Sequence, residues 1–336
     1  MRVMVIGNLL HGVCEAPPED LQVADDFKKL DNEVIFIDRN NWKKQIQEVS
    51  GKIDFIFVAN NPYVGGRDVK FLKNKFNSKV GYWTPDMCEP KNIPWQKYEH
   101  SDVVLTKQKA YQYLYEERGI NHVYWPMDIA MDVFDKTEMT TDSAYHFFNN
   151  DYYPNPVPVG FLGNWVHKSW RQKFLRKLQD KVKDIYITTH STSELAYGQL
   201  STGDPKTSPS HSEWGLDNVR NGVTGKELSK LVGVTKINLS IDWMIADYYW
   251  SNRTAILMAS GGFVLMHYVK GCEEKFKDNV VYFTSVDDCA DKINYYLEHD
   301  KERIEIAKRG YQYANENLRG INRVRELMTY LEDGTI

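Results

Sequence analysis

One segment of the chain, from Lys236 to Phe263, combines residue types that suit the binding of an anion. A buried strand is predicted to end at Ile241, and after a loop a helix is predicted to open near Ser251 with Arg253 in its first turn. A guanidinium beside the free backbone N–H groups of a helix start suits a diphosphate. Ser251 or Asn252 is expected to cap that helix. The alternative is an ordinary strand, loop and helix with a surface arginine.

In the N-terminal half, polar residues follow predicted strands. His11 follows the first strand, Asn60 and Asn61 follow the third, and Asp86 and Glu89 follow the fourth. Loops at the carboxyl ends of parallel strands face the ligand crevice of an open α/β sheet. Asp86 and His11 are therefore the candidates for a catalytic general base, and Asn60, Asn61 and Glu89 for contacts with a second substrate. The alternatives are that Asp86 caps a turn and that His11 is a solvated loop residue.

Several common chemistries lack their sequence signals. The first strand is followed by Gly7-Asn-Leu-Leu-His-Gly12, which is not the GxGxxG of dinucleotide enzymes, and no GxxxxGK[ST] or GxSxG occurs. The chain has no Asp-x-Asp, so the usual ligands of a nucleotide-bound Mg²⁺ or Mn²⁺ are missing. The four cysteines show no CxxC or zinc spacing. We therefore expect no metal site and no bound cofactor.

Composition favours a cytoplasmic globular protein. The 336 residues are 42% hydrophobic and 26% charged, and no apolar run approaches the ~20 residues of a membrane span. A net charge of −4 speaks against overall nucleic-acid adhesion. Two basic runs, Arg67–Lys79 and Lys168–Lys183, are either solvated helix faces or a phosphate-tracking surface for a nucleic-acid acceptor. The sequence gives no prediction of oligomeric state.

Strands and helices alternate twice along the chain, which predicts an α/β protein with two Rossmann-like domains facing a central crevice. Residues 1–135 with 321–336 are predicted to form an N-terminal acceptor-binding domain, and residues 159–317 a C-terminal domain. Residues 136–158 contain Thr, Asn and Pro clusters and are predicted to be the linker. A polar stretch at 190–222 indicates an insertion. A fresh apolar stripe at 321–332 predicts a last helix that returns to the N-terminal domain.

The second half resembles the C-terminal domain of CgeB-like glycosyltransferases, which belong to the group-1 glycosyltransferases of GT-B fold. That family runs roughly R-x-x-E-A-x-A-C-G-G-F, then F, E-I-V-x-F, I-x-Y-Y-L and R-x-x-I-A-x-x-G. The residues that fall on the pattern are Arg253, Ala259, Gly261, Gly262, Phe263, Phe276, Val281, Phe283, Ile293, Tyr295, Tyr296, Leu297, Arg303, Ile306, Ala307 and Gly310. Phe161-Leu-Gly-Asn164 followed by Arg171 resembles the family's domain-opening F-x-G-N … R.

The resemblance implies a hexosyl- or pentosyltransferase that moves a sugar, without a metal, from a nucleotide-diphosphate sugar to an acceptor hydroxyl. The acceptor class stays open among a glycan, a protein and a modified DNA base. The donor-binding residues would be Gly163, Asn164, Arg171, Asp242, Tyr249, Ser251, Asn252, Arg253 and Glu273.

One position departs from the family. Where the family has an acid three residues after the arginine, this chain has Ile256, so Glu273 or Asp242 would have to bind the donor hydroxyls, or the donor is unusual. Two rival functions therefore stay open: a non-catalytic nucleotide- or sugar-binding protein, and a sugar-nucleotide epimerase of the same fold.

Overall fold

The structure is a computed structural model that describes residues 1–8, 19–59, 63–84, 89–107, 109–126, 131–137, 156–162, 170–189, 219–221, 225–242, 244–334 and 336. In this part of the chain the strands form two sheets of six strands each, and every strand pair is parallel. Parallel sheets need crossover connections between neighbouring strands, and helices provide most of them here.

The first sheet has the strand order β2-β1-β3-β4-β5-β6. Its strands are β1 (Arg2–Gly7), β2 (Glu33–Asp38), β3 (Phe55–Ala59), β4 (Lys79–Thr84), β5 (Val103–Thr106) and β6 (His122–Tyr124). Its helices are α1 (Glu19–Lys29), α2 (Trp42–Gln45), α3 (Gly66–Phe76), α4 (Trp95–Tyr98) and α5 (Gln112–Glu116). Every residue of β3 is buried, as expected for an apolar strand between two parallel neighbours.

The second sheet has the strand order β12-β11-β10-β7-β8-β9. Its strands are β7 (Val157–Leu162), β8 (Ile185–Thr189), β9 (Val219–Asn221), β10 (Thr235–Ser240), β11 (Val264–His267) and β12 (Val281–Phe283). Its helices are α6 (Trp170–Gln179), α7 (Gly225–Val234), α8 (Arg253–Ala259), α9 (Cys272–Phe276), α10 (Val286–Glu298) and α11 (Asp300–Asn317). The two sheets confirm the predicted α/β architecture.

The last helix, α12 (Gly320–Glu332), returns to the first sheet. It packs against α1 and buries Val324 and Leu327 completely. The indole Nε1 of Trp125, just after β6, donates to the backbone oxygen of Arg323 at 3.0 Å. This packing confirms the predicted return of the last helix. The division into two domains with the stated bounds stays a prediction.

Three details of the predicted organisation were wrong. β7 begins at Val157, so the predicted linker 136–158 runs two residues too far. β9 lies inside the predicted insertion 190–222, where its three residues carry no apolar pattern and are ordered by pairing with β8. The helical pattern that starts at about 287 predicts one long helix, but the structure has two, because His299 leaves the helical conformation at ψ 58°.

Among the described residues, no helix is long and apolar enough to cross a membrane.

Candidate functional site

The order of strands in the second sheet points to one place where a ligand would bind. The chain builds β7, β8 and β9 outward on one side and then returns to place β10 on the other side of β7. At such a reversal the connections leave the two adjacent strands in opposite directions and open a crevice at their carboxyl ends. Leu162 ends β7, and Asp242 and Arg253 lie just beyond the end of β10.

The guanidinium of Arg253 joins the two strands at this crevice. Its Nε donates to the backbone oxygen of Leu162 at 2.5 Å, and its Nη1 donates to the backbone oxygen of Ile241 at 2.9 Å. Nη1 also lies 3.3 Å from the hydroxyl of Ser251. Nη2 donates to no atom in the described part of the chain. The contacts of Nε and Nη1 therefore hold Arg253 in place, and the two N–H bonds of Nη2 are left for a ligand.

A second guanidinium lies beside the first. Phe161, fully buried in β7, has the Cζ of Arg253 4.9 Å and the Cζ of Arg171 5.6 Å from its ring centroid. Burial, together with the like charge of Arg253, lowers the pKa of Arg171 to about 9, while Asp242 acts in the opposite direction. Burial also lowers the pKa of Arg253. Burial is the main cause of both shifts, and a negative charge beside the two guanidinium groups would favour their protonated forms, so an anion there would be stabilised.

Asp242 is the carboxylate of this cluster and is completely buried. Its Oδ1 accepts a hydrogen bond of 2.8 Å from the backbone N–H of Ser251, and its Oδ2 has no hydrogen-bond partner among the described residues. Burial raises the pKa of Asp242, whereas Arg253, the Ser251 N–H and Arg171 lower it. One carboxylate facing two guanidinium groups leaves a net positive charge when all three are ionised. We call Arg171, Asp242 and Arg253 the arginine cluster.

Asn252 connects the second sheet to the first. Its Oδ1 accepts a 2.9 Å hydrogen bond from the ammonium of Lys107, which directly follows β5, and its Nδ2 donates to Glu19 at the start of α1. Lys107 is only 5% exposed, so this contact is shielded from solvent. Asn252 occupies the N-cap position of α8 but makes no side-chain capping bond. Asn252 thus takes the N-cap position predicted for Ser251 or Asn252, without the side-chain hydrogen bond that usually accompanies it.

The other predicted donor residues divide into two groups. Tyr249 is 2% exposed and interacts electrostatically with both arginines of the cluster. Glu273 is exposed at the start of α9, where it accepts from the Tyr268 hydroxyl at 3.1 Å and from the Gly271 N–H at 3.0 Å. Of the two acids considered as replacements for the family's acid, Asp242 is therefore the one beside the arginines.

Six of the predicted site residues lie in parts of the chain that the structure does not describe. His11, Asn60, Asn61, Asp86, Gly163 and Asn164 lie outside the described residues. Glu89 is exposed and forms a 2.9 Å ion pair with Lys91. Within the described part of the chain, no group of three or more His, Cys, Asp or Glu residues is placed to hold a metal ion.

Three contributors were not anticipated from the sequence: Phe161, Lys107 and Glu19. Lys107 could have been found from its position, because it is the first residue beyond a buried strand on the crevice side. Phe161 was noted only as part of the family's F-x-G-N pattern and not as a contact of the arginines, and Glu19 gave no signal, since both roles depend on which strands and domains become neighbours.

Ile256 lies on α8 and packs against the apolar core with its side chain partly buried. It contributes no polar atom to the arginine cluster. In this chain, the side chain at the position where the family carries an acid therefore packs against the apolar core.

Comparisons with known proteins agree with this architecture. Residues 171–329 match the sequence profile of a family described as "Glycosyl transferase-like". No curated protein matches the sequence. A glycosyltransferase from Rickettsia africae is similar over 99% of this chain and 98% of its own, at 14% identity and a TM-score of 0.67.

Two further solved structures are similar in the same way. HepE from Anabaena, solved with UDP and glucose, has a TM-score of 0.68 at 11% identity and covers 99% of this chain and 100% of its own. Sucrose-phosphate synthase from Thermosynechococcus elongatus has a TM-score of 0.65 at 12% identity and covers 99% of both chains. Identities this low show the fold alone. The chain has the GT-B fold of two Rossmann-like domains, and its residues 171–329 match the glycosyl transferase-like family.

Proposed function

We propose that this protein is a glycosyltransferase that moves a sugar from a nucleotide-diphosphate sugar to an acceptor hydroxyl. The observation that carries the proposal is the arginine cluster. Two adjacent guanidinium groups, with one buried carboxylate, lie at the strand reversal of a GT-B sheet, inside the segment that matches the glycosyl transferase-like family. The CgeB-like resemblance of the same segment supports the same activity.

The arginine cluster would act on the leaving group. As the bond between the sugar and the diphosphate breaks, negative charge grows on the diphosphate oxygens. Nη2 of Arg253 would donate to these oxygens, and the adjacent Arg171 would add a second positive charge. Because the contacts to Leu162 and Ile241 already fix the Arg253 side chain, it would need little reorganisation during the reaction. Asp242, bound to the Ser251 N–H, would hold the loop before α8 in position.

The donor is proposed to be a UDP-sugar in the first instance, because HepE, of the same fold, was solved with UDP and with UDP-glucose. The transferred sugar is proposed to be a hexose or a pentose, and the donor-binding test below would distinguish the two. The acceptor stays open among a glycan, a protein and a modified DNA base. His11 or Asp86 would take the proton of its hydroxyl, and Asn60, Asn61 and Glu89 would bind it. A cytoplasmic location is part of the proposal.

A second candidate function is a nucleotide-sugar-binding protein without catalysis. Ile256 favours it, because the side chain that replaces the family's acid packs in the core and cannot accept a hydrogen bond from a donor hydroxyl. Both functions require donor binding, but only the first requires release of the nucleoside diphosphate.

Donor binding can be tested by a thermal-shift panel of UDP-, GDP-, ADP- and CDP-sugars. A ligand at about 100 times its dissociation constant adds about 2.7 kcal/mol to stability. We expect one nucleotide class to stabilise the wild type and to lose at least about tenfold in affinity in Arg253→Ala, since truncating a buried, hydrogen-bonded charge costs about 2–5 kcal/mol.

The matched control is Arg309→Ala, which removes an exposed guanidinium on α11, and this variant should bind the donor like the wild type. Because Arg253→Ala also removes two contacts between strands, Arg253→Lys serves as a second variant that keeps the charge and loses the planar fork. Wild-type affinity in both Arg253 variants would contradict the proposed diphosphate role.

Turnover is proposed to be independent of a metal. The charge that a divalent cation would supply is instead provided by Arg171 and Arg253. We expect turnover to survive EDTA unchanged. Complete loss in EDTA, with recovery on adding Mn²⁺ or Mg²⁺, would show that a metal carries the diphosphate instead.

A further inference from the structure

A cavity of about 240 Å³ lies where the chain crosses between the two sheets. Its walls come from three parts of the molecule. The end of β6 and the turn after β5 form one wall, the loops after β10 and β11 form a second, and α12 forms the third. We call it the crossover cavity. Its lining includes Lys109, Tyr124, Tyr248, Trp250, Glu274 and Arg323.

The crossover cavity is separate from the arginine cluster. The cluster lies at the ends of β7 and β10, whereas the cavity is bounded by the segments that follow β10 and β11 and by α12. Residues of the cluster do not line it. Among the described residues, the loop before α8 contributes to both places. Its Tyr248 and Trp250 line the cavity, whereas its Asp242 is part of the arginine cluster and is bound to the Ser251 N–H.

Tyr248 is held in a conformation that costs free energy. Its φ is +57°, a left-handed value that non-glycine residues seldom adopt. Its backbone N–H donates to Lys270 at 2.8 Å, and its ring lies so close to Gly271 that a Cβ there would come within 2.3 Å of it. Its backbone oxygen accepts from the Tyr124 hydroxyl at 3.1 Å. Strain that several contacts maintain is typical of functional sites.

The ammonium of Lys109 lies in the lining of the cavity beside two aromatic rings. Nζ of Lys109 lies 3.8 Å from the ring centroid of Tyr248 and 5.6 Å from that of Tyr124. Among the described residues, no carboxylate forms an ion pair with Lys109. The charged residues of the lining are Lys109, Lys275 and Arg323 against Glu274 and Glu326, so positive charge is in excess, and Arg323 forms a 2.6 Å ion pair with Glu326. Lys109 therefore places positive charge above an aromatic face, where an anionic group would complete it.

The remaining walls suit a polyhydroxylated ring. Tyr124 and Tyr248 are the tyrosines of the lining, and the carboxylate of Glu274, which already accepts from the Tyr248 hydroxyl at 3.0 Å, has further lone pairs for hydroxyl donors. Trp250 is 2% exposed, and its indole Nε1 has no hydrogen-bond partner among the described residues. A volume of 240 Å³ is just below the ~300–1,000 Å³ of pockets for drug-sized ligands, so the ligand is small.

We propose that the crossover cavity binds a monosaccharide that carries one anionic group, a phosphate or a carboxylate, with that group on Lys109 and the sugar ring against the aromatic and carboxylate lining. Because both sheets and α12 contribute to its walls, a bound ligand contacts both halves of the molecule. It would thereby favour one arrangement of the two sheets over others.

The proposal is tested by isothermal titration of the full chain, without nucleotide sugar, with glucose 6-phosphate, glucuronate, glucose and inorganic phosphate. We expect glucose 6-phosphate or glucuronate to bind at least about tenfold more tightly than glucose and phosphate, since a charge-assisted hydrogen bond contributes about 1.5–3 kcal/mol. Which of the two binds better identifies the anionic group. Equal affinity for glucose and its charged forms, or no binding of any of the four, would overturn the proposal.

Variants assign the binding to this cavity. Lys109→Met keeps the aliphatic stem and should reduce the affinity for the anionic sugar to that for glucose, whereas Lys109→Arg should retain it. Lys301→Met, an exposed lysine on α11, is the matched control and should bind like the wild type. Unchanged affinity in Lys109→Met would overturn the proposal.

A further arm separates this site from the arginine cluster. Arg253→Ala should keep its affinity for the anionic sugar, and UDP should not compete with it. Competition by UDP, or loss of sugar binding in Arg253→Ala, would place the sugar in the donor site and overturn the proposal. These readouts need no turnover, so they stand whether or not the proposed transfer reaction is correct.

Discussion

The residues of the arginine cluster show how a buried site can be prepared for an anion. Arg171 and Arg253 are both removed from water, and burial lowers the pKa of each. Asp242 supplies only one opposing charge, and its own pKa is raised by the same burial. A bound diphosphate would reverse these shifts in the arginines, because an adjacent negative charge favours their protonated forms. The attraction between the two buried guanidinium groups and an anion would therefore contribute to the binding free energy of that anion.

His122 gives a pH dependence of stability unrelated to this site. Burial lowers its pKa to about 4, and its Nε2 lies 2.8 Å from the Thr106 hydroxyl. Between this pKa and about 6.5, the unfolded chain binds a proton that the folded chain does not, so stability falls as the pH falls. We expect a loss of about 2 kcal/mol between pH 7 and pH 5 from this residue alone.

The measurement is urea unfolding of the wild type and of His122→Gln at both pH values. His122→Gln should lack this loss, and the exposed control His100→Gln should keep it. The same loss in His122→Gln as in the wild type would show that other groups cause the acid sensitivity.

Residues of the arginine cluster could be named from the sequence alone. Arg253 was named because a strand end followed by a helix start is visible in the order of residues, and Asp242 because Ile256 stands where the family has an acid. The contact of Asn252 with Lys107 was not predictable, because it joins residues 145 positions apart on different sheets. Ile256 could be recognised as a departure from the family, but its burial in the core required the packing of α8.

Among the elements, the start of α12 is tightly constrained. Gly320 opens this helix against the buried carboxylate of Asp26 on α1, and a Cβ at this position would lie 2.2 Å from Asp26 Oδ2. Asp26 cannot easily move away, because Gln22 donates to it at 2.9 Å and Lys29 at 3.0 Å. The close approach of α12 to α1 therefore depends on glycine.

Gly320→Ala should destabilise the protein by about 1–3 kcal/mol, the usual cost of overpacking. The control is Gly233→Ala on α7, where the nearest atom to a new Cβ is 3.7 Å away and alanine should be neutral or stabilising by up to about 1 kcal/mol. Denaturant unfolding of both variants provides the comparison. Equal stabilities would show that α12 is free to shift on α1.

Elements were predicted best where the residue pattern alone determines them. The strands β2 and β5 are short runs of Val, Ile, Leu and Phe flanked by polar residues, a pattern that is visible in the sequence itself. β9 was missed because three residues without an apolar pattern depend on pairing with β8. The end of α10 at His299 was missed because it rests on one backbone angle, in a residue whose ring stacks on Tyr295 at 3.8 Å.

At the scale of the whole molecule, the two sheets are joined by a continuous apolar core and by the return of α12. One cluster of buried side chains includes Val5 from the first sheet, Met266 from the second and Leu327 from α12. Polar contacts add to it where Asn252 meets Lys107 and Glu19. The chain passes between the sheets before β7 and again at α12, so relative motion of the domains is expected to be a hinge closure. Such closure would exclude water from the arginine cluster before transfer.

The central claim, sugar transfer from a nucleoside diphosphate, is tested most directly by measuring free nucleoside diphosphate released from each nucleotide sugar. The assay contains the wild type and a pool of glycan, peptide and modified-DNA acceptors. We expect release from one donor class, and at least about tenfold slower release by Arg253→Lys, because only the planar fork can both hold the strands and contact the diphosphate. No release from any donor that binds, or conversion of the donor to an isomeric nucleotide sugar without release, would contradict the account.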